Sequence, residues 1–370
     1  MIPHSKPTIT ENDIKSVSEV MRSGYIAQGE KVQEFEEKLA SFIGVKSGIA
    51  TSSGTSALHL ALMVLGVGKE DEVILPTYVC TAPLNAVYYT GAKPIFADIN
   101  EDDFNISAKD VERKLTKKTK AIIVPHMFGL PTEMEKILRL EIPVIQDCAQ
   151  SIGATVLRHQ ASGIRHSVPG NRHLASGTRR PVGSLGTLSI YSFYATKLLA
   201  TGEGGMVLSN DEELLSRIQD LRDYDEKDDF RVRFNYKMSD IEAAFGLSQL
   251  VKLPSFIKRR KEIARKYSSV FRDYDFIIPS VYEDREHIFY RYVVRVHGKA
   301  EEFIEDIQNK GIECRRPVYK PLHHYLSCGD FPVADKVYES AVSIPIYPSL
   351  SDEDVDYIIE TVGELCKVHR

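Results

Sequence analysis

Apolar and polar positions along the first forty residues repeat with a helical period. TENDIKSVSEVMRSG predicts an amphipathic helix with Thr10 as its N-cap, acids in its first turn, and Ile14, Val17 and Met21 on one face. KVQEFEEKLASFIG repeats the pattern, with Val32, Phe35, Leu39 and Phe42 expected inward. Short β-branched runs then alternate with helical stretches. SGIATSS precedes GTSALHLALMVLG, and EVILP precedes APLNAVYYTG. PIFADI, KAIIVPH, IPVIQDC, TLSIYSF and GGMVLS follow. This rhythm predicts an α/β fold, a largely parallel sheet with helices on both faces. Beyond Ser209 the pattern changes. MSDIEAAFGLSQL and FIKRRKEIARKYSSVF read as helices, and IFYRYVVRV alternates as a half-exposed strand. AEEFIEDIQNKG and SDEDVDYIIETVGELCK read as further helices. The expected organisation is a large α/β domain over 1–250 and a smaller α+β domain over 251–370.

Composition narrows the classes of function. A chain of 370 residues, 43% hydrophobic, buries a substantial core. A net charge of −5 argues against a nucleic-acid binder. The charge is uneven, because residues 148–202 hold five arginines and Lys197 but no acid. Most of that charge lies in a tandem heptad, RHQASGI RHSVPGN RHLASGT RRP, over 158–181. Gly, Pro, Ser and Asn in each unit argue against a helix, and no apolar a/d seam supports a coiled coil. The repeat reads as a solvated loop or as a basic flap for a small anion. The five cysteines, Cys80, Cys148, Cys314, Cys328 and Cys366, form no CxxC pair. Neither a disulfide framework nor a metal site is expected, and reduced thiols fit the cytoplasm. The opening residues lack a signal-peptide apolar run, and ALHLALMVLG is about half a membrane span.

Three segments carry chemistry. In SFYATKLLATGEGG, Lys197 follows an apolar strand and precedes a glycine-rich turn, at the sheet edge where α/β proteins keep their sites. An amine held there against apolar surroundings is a candidate nucleophile, or else a surface lysine. In IPVIQDCAQ, Asp147 ends a buried strand and needs a cationic partner or a hydrogen-bonded turn. In SSGTSALHL, Gly54, Thr55 and Ser56 open a helix after a strand, a seat for a phosphate or an ordinary N-cap. A phosphate seat, a buried carboxylate and a nucleophilic lysine together describe pyridoxal 5′-phosphate. No GxxxxGK[ST], HExxH, GxSxG or strand-linked GxGxxG motif competes.

SGTSALHLAL, DCAQSIGA, SFYATKLLATGEGGMV and FNYKMSDIEAAFGLSQL resemble the DegT/DnrJ/EryC1/StrS family of sugar aminotransferases. The resemblance extends over nearly the whole chain. It implies the fold-type-I architecture, with a mostly parallel seven-stranded sheet. It implies that Lys197 forms the Schiff base and shuttles the proton, and that Asp147 pairs with the pyridinium nitrogen. Gln150 then lies against the ring and its 3′-oxygen, and Ser192 joins Gly54–Ser56 on the phosphate. Asn235 matches an asparagine that reaches the neighbouring subunit's phosphate, which implies a homodimer with shared sites. Cys80 departs from the pattern, since many members place an aromatic ring there. Tyr78 is the alternative stacking residue. The connection holding the repeat is usually much shorter, so roughly twenty residues are extra.

On the substrate side, ECRRPVYKPLHHY resembles the segment that closes over a sugar nucleotide, with Arg316, Tyr319, Lys320 and His323 as candidates. His4 and Tyr25, in SGYIAQG, match a segment that shapes the substrate pocket or forms a structural turn. The form RPVYKPLH resembles 4-aminotransferases of 4-keto-6-deoxy sugar nucleotides, with glutamate as the amino-acid donor. A lysine at 197 favours transamination over sugar dehydration, because some related dehydratases carry histidine there. An aminocyclitol transaminase, a dehydratase or a non-catalytic regulatory homologue remain the alternatives.

Overall fold

The computed structural model describes residues 1–157, 178–274 and 276–368. Most of the heptad repeat, 158–177, therefore lies outside the described residues. Two helices, α1 (Glu11–Ser23) and α2 (Glu30–Ile43), lead into β1 (Ser47–Thr51). Then come α3 (Gly54–Val64), β2 (Glu72–Pro76), α4 (Thr81–Tyr89), β3 (Lys93–Ala97), α5 (Ala108–Lys114) and β4 (Thr119–Pro125). The chain continues through α6 (Met134–Leu138), β5 (Val144–Asp147), a small hairpin of β6 (Thr155–Leu157) and β7 (Arg179–Pro181), β8 (Leu188–Ser192) and β9 (Gly205–Ser209). The remainder holds α7 (Glu212–Arg222), α8 (Asp240–Phe271), β10 (Tyr292–Arg295), α9 (Ala300–Asn309), α10 (Leu322–Leu326), α11 (Pro332–Ser340), β11 (Ala341–Ile344) and α12 (Asp352–Val368). Among the described residues, no helix is long and apolar enough to cross a membrane.

Seven strands form one sheet in the order β1-β9-β8-β5-β4-β2-β3. The run β8-β5-β4-β2-β3 is parallel, and β9 is antiparallel to both of its neighbours. Successive residues of a strand point to opposite faces, and both faces are covered. Ile49, Ile190 and Val207 pack into one core with α3 and α7. Ala50, Tyr191 and Met206 pack into another with α2 and α8. A third core unites α8, α9, α12, β10 and β11 around Tyr267, Phe303, Val342 and Ile358.

Several expectations change in three dimensions. Thr10 N–H does donate to Asp13 Oδ2 (2.7 Å) at the start of α1. However, the helix turns Asp13 and Val20 toward α8, where Asp13 pairs with Lys252. Ile14 and Met21 are left 52% and 56% exposed. Phe42 is also exposed, while Ile43 beside it takes the inward position. The two helical stretches after Ser239 are one 32-residue helix, α8, with Pro254 inside it. Position 250, the expected domain boundary, falls within that helix. IFYRYVVRV is not half-exposed. Tyr292, Val293, Val294 and Arg295 are all buried, because β10 lies between the first core and the third. Arg295 meets that burial by donating to Glu101 Oε1 (2.7 Å) and Ser340 Oγ (3.1 Å).

One buried carboxylate ties α2 to α8. Asp240 accepts from the N–H groups of Gly29 (2.8 Å), Val32 (3.0 Å) and Lys31 (3.2 Å). These are donors that a helix start cannot satisfy internally. Replacing Asp240 by Ala should cost about 2–3 kcal/mol, while Asp240→Asn should cost roughly half of that, since one acceptor oxygen remains. Urea unfolding midpoints of the two variants and the parent check the ranking.

Candidate active site

Three carboxyl-terminal strand ends and one helix start meet at the top of the sheet. β1 ends at Thr51, and Ser53 caps α3 by accepting from Ser56 N–H (3.0 Å). The Ser56 hydroxyl lies 2.8 Å from Ser53 Oγ and 3.1 Å from Ser52 Oγ. The first intrahelical bond is Ala57 N–H to Ser53 O (3.1 Å), so the amides of Gly54 and Thr55 precede the helical ladder. Gly54 is pressed against the end of β8, where a Cβ on it would lie 2.8 Å from Ser192 Cβ. Glycine is required for the helix to start that close to Ser192. The resulting cradle presents backbone N–H groups, two hydroxyls and the positive end of the α3 dipole, a fit to a phosphate.

Asp147 ends β5, between Pro125 of β4 and Ile190 of β8. Its peptide is pinned by His126 N–H to Asp147 O (3.2 Å) and Cys148 N–H to Ile190 O (2.8 Å). The side chain is buried and accepts from Ala149 N–H (3.0 Å). Burial pushes its carboxyl above the usual range, and the Ala149 amide and the Lys197 charge work against that rise. A ring nitrogen carrying a proton is the partner such a carboxylate lacks.

Lys197 sits in the turn after β8. The turn is held by Lys197 N–H to Tyr194 O (2.8 Å), Ala195 N–H to Gly202 O (3.0 Å) and Thr201 N–H to Phe193 O (2.8 Å). Its side chain is half-buried, and no salt bridge involves it among the described residues. Nζ lies 5.4 Å from the centroid of the Tyr290 ring. The lysine charge is felt at Asp147, Cys80 and Tyr290 alike. Gln150 accepts from Phe128 N–H (2.9 Å), which fixes its amide beside the strand end. A phosphate cradle, an under-partnered buried carboxylate and an unpaired lysine thus fit pyridoxal phosphate.

Cys80, at the N-cap of α4, is exposed. Enclosing protein nevertheless pushes its thiol pKa up, against the pull of Lys197. Tyr78 is not available as an alternative stacking ring. It is wholly buried, and its hydroxyl has no hydrogen-bond partner among the described residues. Asn235 is exposed between two anchored neighbours, with Phe234 N–H on Leu221 O (2.8 Å) and Tyr236 N–H on Arg222 O (3.0 Å).

The substrate-side candidates separate into two groups. Tyr25 and Tyr319 project into solvent, while Lys320 is half-buried with its Nζ 4.7 Å from the centroid of the Tyr325 ring. His4, Arg316 and His323 are occupied by contacts within the chain. His4 Nε2 lies 2.8 Å from Ser343 Oγ and 3.0 Å from Arg291 Nη1, and burial with the nearby arginines lowers its pKa to about 3. It is therefore a neutral, buried ring. Arg316 donates to Tyr338 O, pairs with Glu301 (3.0 Å) and stacks on Tyr338. His323 lies between Thr77 Oγ1 (2.6 Å) and Asp335 Oδ1 (3.0 Å), docking α10 on the strand end that leads to Cys80. Sequence reasoning missed Tyr290, which it placed in a half-exposed strand. The signal available was a tyrosine–arginine pair inside an otherwise apolar run.

A family model, the DegT/DnrJ/EryC1/StrS aminotransferase family, matches residues 7–363. The spore coat polysaccharide biosynthesis protein SpsC of Bacillus subtilis (strain 168) is 36% identical over 396 residues, covering 99% of this chain and 97% of that protein. The GDP-perosamine synthase of Escherichia coli O157:H7 is 34% identical over 382 residues, covering 98% of each. Among solved structures, a putative sugar aminotransferase of Streptococcus pneumoniae, Spr1654 in its PMP-form, superposes with a TM-score of 0.90 at 29% identity over 100% of both chains. The chain therefore belongs to the DegT/DnrJ/EryC1/StrS aminotransferase family and is a pyridoxal phosphate-dependent sugar aminotransferase.

Proposed function

We propose that this enzyme aminates a keto-sugar nucleotide, specifically a 4-keto-6-deoxy sugar, with glutamate as donor, for surface polysaccharide or secondary-metabolite sugars. The observation that carries the reading is the unpaired Lys197 amine beside the buried Asp147 carboxylate, next to the Gly54–Ser192 cradle. Similarity to a GDP-perosamine synthase and to a spore coat polysaccharide protein supports the substrate class. Bound pyridoxal phosphate supplies an electron sink for the carbon that loses a proton. Gly54, Thr55, Ser56 and Ser192 hold its phosphate. Asp147 keeps the ring nitrogen protonated, and Gln150 orients the ring, with Cys80 as a small, soft cover. Lys197 Nζ carries the proton from one carbon to the next. Tyr25 and Tyr319 are exposed side chains that meet the sugar nucleotide in this reading, and Lys320 meets it by leaving the Tyr325 ring. His4, Arg316 and His323 act through the segments they hold.

The working unit in this proposal is a homodimer. The exposed α1 stripe (Ile14, Met21) and the exposed Phe230 and Val232, close in sequence to Asn235, are apolar surface that a second copy would cover. Asn235 would then reach the partner subunit's phosphate. The proposed compartment is the cytoplasm, whose reducing conditions keep thiols free.

Lys197→Arg should fold, lack the absorbance of lysine-linked cofactor and lose turnover, because a guanidinium is not nucleophilic at neutral pH. Wild-type turnover in a screen of keto-sugar nucleotides with glutamate would overturn the lysine's role. Asp147→Asn should bind the cofactor but lose more than about tenfold in kcat, an effect above about 1.4 kcal/mol. Cofactor absorbance and steady-state rates separate the two effects. Mixing inactive Lys197→Ala with impaired Asn235→Ala should restore activity once subunits exchange, since one of the two shared sites is then intact. Demonstrated exchange without recovered activity would refute shared sites.

A further inference from the structure

The segment Ile288–Arg291 reaches Lys197 from the C-terminal half of the chain. It is clamped to the 127–129 turn by Ile288 N–H to Gly129 O (3.0 Å) and Arg291 N–H to Phe128 O (3.3 Å). Gly129 has φ +93°, and a Cβ there would come within 2.8 Å of Tyr290 N. Only glycine lets the two stretches close. From the other side, buried Arg260 of α8 donates through Nη1 to Tyr290 O (3.1 Å), Phe289 O (3.3 Å) and Ile346 O (2.8 Å). The backbone of Tyr290 is therefore fixed from two sides. Its ring is 6% exposed and lies under Lys197 Nζ. Its hydroxyl is 3.4 Å from Thr196 Oγ1, on the residue next to the lysine.

We propose that Tyr290 is the positioning residue for Lys197: its ring face receives the ε-ammonium whenever the lysine carries no bond to the cofactor. This rests on Lys197 being the cofactor-linking lysine. A lysine released by substrate is a flexible four-carbon stem. An ion pair would hold its end charged and make it a poor base. A ring face holds a cation more weakly, within about 6 Å of the centroid, and offers no carboxylate to retain the proton. The groups facing Tyr290 are Lys197 and Thr196 from the turn after β8, Arg291 from its own segment and Arg260 from α8. Burial alone would raise the phenol's pKa, but Lys197 and then Arg291 draw it down to about 8. The sign follows. Below that pH the neutral ring docks the ammonium. Above it a phenolate holds the lysine charged, so turnover declines on the alkaline side.

The test uses full-length holoenzyme loaded with pyridoxamine phosphate, the form in which Lys197 has no bond to the cofactor. Tyrosinate difference absorbance is followed against pH. One tyrosine should ionise below the ordinary tyrosine range. Tyr290→Phe should abolish that transition, and Lys197→Met should move it up. In turnover, Tyr290→Leu should lower kcat about tenfold with KM for glutamate little changed. Tyr290→Phe, which keeps the ring, should retain kcat at neutral pH and lose the alkaline decline. An early-ionising tyrosine unmoved by Lys197→Met would overturn the proposal. So would Tyr290→Leu turning over like the parent, or Tyr290→Phe failing as badly as Tyr290→Leu in a folded protein. Those failures would leave the yellow cofactor colour and the dependence of turnover on Lys197 intact. Failure of the underlying reading would remove both.

Discussion

The site depends on the contact between Gly54 and Ser192. A helix start and a strand end approach to within the width of a missing methyl group. That approach is possible because β1 and β8 flank β9 in the sheet, so their carboxyl-side ends lie one strand apart. Any side chain at 54 would drive α3 away from β8 and separate the cradle from the turn that carries Lys197. The sheet order also seats Asp147, since β5 is the strand next to β8. Phosphate seat, carboxylate and lysine are thus positioned by backbone pairing, the least adjustable part of the protein. The side chains only complete the arrangement.

The C-terminal half enters this frame through a buried cation. Arg260 is drawn down to about 10 by burial, and its Nη1 is met by three carbonyl oxygens rather than by an acid. A carboxylate partner would neutralise Arg260 locally. Carbonyls leave its charge in place, where it adds to those of Arg291 and Lys197 around Tyr290. The burial cost of Arg260 is offset in part by the bonds of its Nη1, while its Nε has no partner among the described residues, and its field reaches the phenol. α8 therefore links the two halves structurally, with Asp240 at one end holding α2. In its interior, Arg260 also links them electrostatically.

Much of this was legible in the sequence, for specific reasons. Strand ends followed by Gly54, Asp147 and Lys197 mark the top of a parallel sheet, and those short signals are local. The capping of α1 by Thr10 and Asp13 is local too. What escaped was long-range. Periodicity shows that Ile14, Val17 and Met21 share a face, but not that the chain leaves that face uncovered. His4 meets Ser343 across 339 positions of sequence, and nothing near either residue announces the contact. Tyr290 and Tyr78 were misjudged for the same reason. Whether an aromatic ring is core or cleft is decided by what folds over it, here Lys197 in one case and the first core in the other.

The described residues on either side of the basic repeat belong to the rigid frame. Its two feet are paired: Thr155, Val156 and Leu157 of β6 face Pro181, Arg180 and Arg179 of β7. The hairpin is in turn fastened to the stretch before Tyr290. Leu157 N–H donates to Asp284 O (2.6 Å), Glu286 N–H donates to Thr155 O (2.8 Å), and Lys261 pairs with Glu286. With its ends fixed, the free-energy cost of a longer connection grows only with the logarithm of its length, about 0.6 kcal/mol per doubling. A long connection between those two feet therefore costs the frame little. The stretch that holds Asp284 and Glu286 runs on to Ile288–Arg291. There Gly129 accepts from Ile288 N–H, and Arg260 donates to Tyr290 O. The feet of the repeat and the clamp on Tyr290 therefore belong to one frame of backbone hydrogen bonds.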